Sequence, residues 1–193
     1  MRMEEIDMVS LTALWLPIVL AAVVVFIASS VIHMAFKYHN SEYQQLPDED
    51  AVLGAMRNSK IGPGFYSFPY AADMKEMGSP EMLEKYKQGP MGTANINPNG
   101  PPAMGKHLVL WFLFSIVVGV FAGYLASRTL APGTHYLQVF RVVGCSSFLA
   151  YAFAHFSDAV WGIKPWSMSF KHAFDGLVYG LLTAGVFGWL WPA

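Results

Sequence analysis

The chain has 193 residues, of which 54% are hydrophobic and only 13% charged, and its formal net charge is −1. Soluble domains carry about 25% charged residues, so much of this chain is not built to face water. Phosphate binding needs a clustered basic surface, and the charge balance gives no reason to expect a nucleic-acid partner.

The first predicted element is the uncharged run Leu11 to Ile32. It reaches the roughly 20 residues a helix needs to cross a ~30 Å hydrocarbon core. It is longer than the ~7–15-residue apolar region of a cleavable leader, and the preceding MRMEEID is acidic where such a leader is basic. The run therefore reads as a permanent anchor, with Pro17 marking a first turn or a mild kink.

Residues 37–106 change character and become rich in Pro, Gly, Met, Asn and charge. LPDEDAVLGAMR predicts a short helix with acids in its first turn. SPEMLEKYKQG predicts another, with Ser79 as N-cap, Pro80 at its first position and Gly89 at its end. GPGFYSFPYAAD between them and GPMGTANINPNGPPAMG after them read as turn-dense and extended. The segment lacks the periodic apolar residues of an independent core. It is expected to lie on the helices, at the membrane surface or against a partner. Met56, Met74, Met77, Met82, Met91 and Met104 fall here; Met74-x-x-Met77 has a copper-like spacing, and adaptable packing is the plainer reading. GPPAMGKH matches part of a phosphate loop. It ends in His where a hydroxyl must hold magnesium, and Pro101 and Pro102 remove two N–H donors, so no nucleotide is expected.

Three further apolar runs follow, Leu108 to Ala126, Leu137 to Val160 and Ala173 to Trp191. The first repeats small residues at Ser115, Gly119, Gly123 and Ser127, and the last at Gly176, Gly180, Ala184 and Gly188. Ribbons at this spacing let helix backbones approach closely inside a bilayer, within the bundle or against another subunit. Arg141 is expected to snorkel to the headgroups beside Tyr136, with Glu4, Glu5 and Asp7 as possible partners. Cys145 reads as a small buried hydrophobe. Trp161, Trp166, Trp189 and Trp191 sit at run ends, as an interfacial belt does.

These elements predict an all-α fold: a four-helix transmembrane bundle with an irregular, short-helix segment between helices one and two. The parts are 1–36, the tail and first span; 37–106, the surface segment; and 107–193, spans two to four. Lys37, Lys106, Lys164 and Lys171 lie on one side against Arg2 and Arg128 on the other. That bias predicts cytoplasmic loops 37–106 and 161–170 and external termini.

This topology gathers polar residues at one membrane face. His33 ends the first span, His107 begins the second, His155 and Asp158 close the third, and His172 and Asp175 open the fourth. Each His-x-x-Asp pair lies on one side of its helix. A carboxylate in a span, as at Asp175, marks a site. Three readings stay open. One is a charged, hydrogen-bonded lattice in which His172 or Lys171 partners Asp158 and Asp175. Another is a metal site for zinc, iron or manganese built from His33, His107, His155, Asp158, His172 and Asp175, with further carboxylates supplied by the loop. The last is proton or ligand handling, or axial ligation of a haem; no C-x-x-C-H is present for covalent attachment.

The stretches SSVIHMAFKYHNSEYQQLPDED and FDGLVYGLLTAGVFGWLWP, bracketing a three-span block, resemble small four-helix bacterial inner-membrane proteins of unassigned function. The resemblance supports the topology and implies no activity. With no complete catalytic constellation, the expected role is a non-enzymatic accessory or scaffold subunit of a larger membrane complex, with an electron-transfer complex as one candidate. A metal- or haem-binding membrane protein is the alternative, and a small transporter subunit comes third. The expected partners are the lipid bilayer and other membrane subunits.

Overall fold

A computed structural model describes residues 8–193. In chain order these form α1 (Trp15–Ala35), a 3-10 segment Lys37–Glu42, α2 (Glu49–Asn58), β1 (Gly64–Phe68), α3 (Met74–Met77), α4 (Pro80–Gln88), β2 (Gly92–Ile96), α5 (Met104–Thr129), α6 (Tyr136–Val160) and α7 (Trp166–Trp189). They divide into two compact units, one running through Glu42 and resuming at Ala103–Ala193, the other Tyr43–Pro102.

In the helical unit, α1 and α6 each pack on both α5 and α7, which closes the four helices into a ring. Among the described residues, three segments are long and apolar enough to cross a membrane: Leu11–Ala35, Met104–Thr129 and Tyr136–Val160. These are consistent with a membrane protein. The fourth long helix, α7, has 24 residues and is not among the three. Lys171, His172, Asp175 and its glycines lower its hydropathy. The fold is thus all-α with three helices of spanning character, where four were expected.

Two of the long helices, α1 and α6, start on local signals. Ser10 caps the 3-10 turn Leu11–Leu14 that leads into α1, its hydroxyl accepting from the Ala13 N–H at 3.3 Å. Pro17 lies in the first turn of α1, where its missing N–H costs no intrahelical bond. His135 caps α6, its Nδ1 accepting from the Leu137 N–H at 3.3 Å.

Small residues set the helix spacing. A Cβ on Gly176 would lie 3.0 Å from the Ala152 Cβ, and one on Gly180 would lie 3.0 Å from the Phe148 backbone nitrogen. The α7 ribbon therefore faces α6. Ser115, Gly119, Gly123 and Ser127 are all buried; Gly119 faces Ile18 of α1, and Gly123 faces Phe187 of α7. One core cluster includes Leu14, Ile18, Ala126, Val139, Val143 and Phe187. A second, of Val25, Ile32, Val118, Tyr151 and Tyr179, has Tyr38 and Trp111 packed against it.

Cys145 is exposed, not buried as expected. Its neighbour Gly144 points at Ala184, and one residue further on is about 100° around the helix, away from α7. Arg141 is also exposed; its expected partners Glu4, Glu5 and Asp7 lie outside the described residues.

The Tyr43–Pro102 unit contains both expected short helices. Asp48 caps α2 by accepting from the Ala51 N–H at 3.1 Å. Ser79 caps α4 by accepting from the Met82 N–H at 3.2 Å, Pro80 follows, and Gly89 ends the helix at φ 57°. The sheet was not expected. β1 and β2 pair antiparallel from Gly64↔Ile96 to Phe68↔Gly92. Phe65, Tyr66 and Phe68 favour a strand, whereas Gly-Thr-Ala-Asn-Ile has no alternating apolar pattern to announce one. Met82 is the single buried residue of this unit among the described residues.

Candidate metal centre

The unit boundary falls after Glu42, not after residue 36, because the 3-10 segment Lys37–Glu42 belongs to the helices. The α7 residue Lys171 holds it there: its Nζ donates to the Tyr38 carbonyl at 2.6 Å and to Ser41 Oγ at 2.7 Å. This short segment sets Tyr38, His39 and Glu42 against the end of α1 and the first half of α7.

Asp175 is the anchor. It is buried, with its side chain only 3% exposed. The Tyr38 hydroxyl donates to its Oδ1, and His39 Nε2 lies 2.8 Å from its Oδ2. The other nitrogen of the same ring, His39 Nδ1, lies 2.5 Å from Glu42 Oε1. Glu42 reaches His172 Nε2 with its second oxygen, at 3.3 Å. One imidazole thus stands between two carboxylates, each of which touches a further polar group.

More histidines surround this core. The His33 ring stacks on His39 with centroids 4.5 Å apart and 9° between planes. His33 Nδ1 lies 3.0 Å from the Ser29 carbonyl. A carbonyl only accepts, so this nitrogen is the donor, and in the neutral ring Nε2 then offers the lone pair, the arrangement typical of metal-ligating histidine. His155 stacks on His172 at 4.6 Å and 15°. His155 Nδ1 is buried without a hydrogen-bond partner among the described residues. An orphaned buried donor or acceptor is uncommon and costs about 1–3 kcal/mol.

Burial pushes the Tyr38 phenol well above the ordinary tyrosine range, reinforced by its hydrogen bond to Asp175 and by the charges of Asp175 and Glu42. The hydroxyl therefore stays a donor to the carboxylate at physiological pH.

Of the residues expected at one face, the structure brings together His33, His155, His172 and Asp175. Two stand apart. Asp158 pairs with Lys164 at 2.7 Å, with both side chains more than a third exposed, because the turn after α6 carries Lys164 back over the helix end. His107 is exposed in the first turn of α5. The expected partnership of His172 or Lys171 with Asp158 and Asp175 is replaced: Asp175 goes to Tyr38 and His39, and Lys171 goes to the 3-10 segment. Tyr38, His39 and Glu42 were missing from the expected set. His39-Asn-Ser-Glu42 was their signal, a third His-x-x-carboxylate directly after the first span.

Among the described residues, two groups each bring three donor atoms within 4.8 Å of one another: His33, His39 and Asp175; and His39, Glu42 and His172. Each is two histidines and one carboxylate, a ligand set suited to zinc, iron or manganese. A haem held between two histidines needs their nitrogens to face each other across the macrocycle. The stacked pairs at 4.5 Å and 4.6 Å leave no such gap. A crevice of about 750 Å³ elsewhere in the unit is lined by Val24, Tyr136, Phe140, Leu181 and Trp189 among others. It lacks the converging polar groups of a reactive site.

No protein-family model, curated protein or solved structure matches this chain.

Proposed function

We propose that this is a multi-pass membrane protein that holds divalent first-row metal at a histidine–carboxylate centre at one end of its helices. The observation that carries the reading is the placement of His39 between Asp175 and Glu42, with His33 and His172 alongside. Buried carboxylates need cations. Here the groups beside them are mostly imidazoles, which ligate metal, while Lys171 is directed to a backbone carbonyl and a hydroxyl. The unpartnered His155 nitrogen adds a spare donor next to the cluster.

In this reading α7 is the fourth span. Its carboxylate is turned inward onto Tyr38 and His39, so crossing the bilayer does not set Asp175 against lipid. The lysine distribution supports cytoplasmic loops 37–106 and 161–170, with external termini. The sequence resemblance supports the inner membrane of a bacterium.

Thermal unfolding of the detergent-solubilised chain tests the reading. A ligand that binds only the folded state raises stability, by about 2.7 kcal/mol at 100 times its Kd. Zinc, iron(II) or manganese(II) is expected to raise the unfolding temperature of wild type, reversibly with chelator, and to leave His39→Ala unmoved. Equal shifts in both proteins, or none in either, would leave a helix-end lattice of ion pairs as the better account.

A second reading concerns the role of the whole chain. The Tyr43–Pro102 unit exposes Phe65, Tyr70, Met74 and Met91 by 61% or more, which favours an accessory subunit whose partner covers this unit. Native-size analysis after mild extraction checks it; a monomer that captures no other membrane protein contradicts it.

A further inference from the structure

The two donor sets share one residue and do not merge into a single group. They meet His39 at different atoms. Its Nε2 faces Asp175 at 2.8 Å and its Nδ1 faces Glu42 at 2.5 Å. The lone pairs of the two imidazole nitrogens diverge in the ring plane, so no single cation is reached by both. Whatever binds beside Asp175 is separated by the ring from whatever binds beside Glu42.

Each side is also furnished separately. Beside Asp175 stands His33, whose Nδ1 is committed to the Ser29 carbonyl and whose Nε2 is therefore free to ligate. Beside Glu42 stands His172, with Nε2 3.3 Å from the carboxylate, and His155 stacked behind it with a buried nitrogen that has no partner. Each side has two imidazoles and one carboxylate, and three protein ligands leave positions open for water or a small oxygen ligand.

We infer that the centre is dinuclear: two divalent cations of the zinc, iron or manganese class, one held by His33, His39 and Asp175 and the other by His39, Glu42 and His172, with the His39 ring as the bridge. A ring that ligates through both nitrogens does so as imidazolate, so any proton on either nitrogen passes to solvent as the cations bind. The inference rests on the metal-binding reading above and specifies its nuclearity.

The test is metal titration of the full-length chain in detergent with zinc alone, read as bound zinc per chain, in wild type and four variants. Two equivalents are expected for wild type. Asp175→Asn and Glu42→Gln are each expected to keep one, and His39→Ala to keep none. Asp175 is buried, so His33→Gln serves as a second way to empty the same side, and it too is expected to keep one. Circular dichroism and a single symmetric elution peak identify the variants that fold. Copper(II) loading adds an independent readout: the wild-type pair is expected to be exchange-coupled through the ring, and Glu42→Gln to give the uncoupled signal of an isolated ion. One equivalent in wild type, abolished by Glu42→Gln and by His33→Gln alike, would overturn the dinuclear inference and leave the metal-binding reading standing. No zinc above the His39→Ala background would overturn both.

Discussion

In the helical unit the buried side chains come from all four long helices, and the polar ones are joined across them: Trp111 Nε1 donates to Ser29 Oγ at 2.8 Å, Ser169 Oγ to the His155 carbonyl at 2.7 Å, and the 3-10 segment locks onto Asp175. In Tyr43–Pro102, Met82 is buried alone, and the recorded polar contacts are caps and pairs within a few residues or a two-stranded ladder. A substitution in the first unit breaks contacts between elements. One in the second loosens a single turn. The comparison also bears on the proposed metal centre, since such a centre needs donors from several elements held rigidly together.

The largest expected effect is on the helical unit's polar anchor. His39→Ala removes a partner from Asp175 and from Glu42, both buried at the side chain, and each loss is expected to cost about 1–3 kcal/mol, the penalty for a buried polar group left short of a partner; chemical unfolding in micelles measures it. Next is Gly180→Ala, whose Cβ would lie 3.0 Å from the Phe148 backbone nitrogen. Overpacking of this kind costs about 1–3 kcal/mol, and the melting temperature should fall accordingly. In the other unit, Ser79→Ala removes the α4 cap and is expected to cost about 1 kcal/mol of local helix stability. Hydrogen exchange should quicken over residues 81–88 and stay unchanged in α6 and α7. Faster exchange in α6 or α7 in that variant would break the comparison.

The smallest effect belongs to Lys85→Ala. Lys85 and Glu81 are exposed, and their hydrogen bond holds the Glu81 carboxyl below and the Lys85 ammonium above their usual ranges. The sign follows: the Glu81 contribution is present above the ordinary carboxylate range and is lost as pH falls through its lowered value. Because the pair is screened by water, no change in the unfolding transition is expected between wild type and Lys85→Ala at pH 7.

The long apolar helices, the caps Ser79 and Pro80 and the ribbons of small residues were legible because each is a local pattern with one physical meaning. α7 is less plain, since its polar residues serve the site and dilute the apolar signal. The β1–β2 pairing was illegible: one of its strands carries no alternation, and its partner lies beyond two helices. At the site, Asp175, His172, His155 and His33 stood out as polar residues at apolar ends. Tyr38, His39 and Glu42 did not, because a segment that follows a span reads as a water-facing loop. Only the fold-back held by Lys171 turns them inward. Asp158 shows the converse: its spacing matches Asp175, yet Lys164, in the turn just after α6, draws it away.

The most direct measurement is the metal content of the chain after mild-detergent extraction and exhaustive washing, beside His39→Ala prepared in the same way. The account predicts stoichiometric zinc, iron or manganese in wild type and its loss in the variant, with both proteins helical and monodisperse. Wild type without metal, and unable to take it up when reconstituted, would contradict the account and leave His39, Glu42 and Asp175 as a charged lattice tying helix ends together.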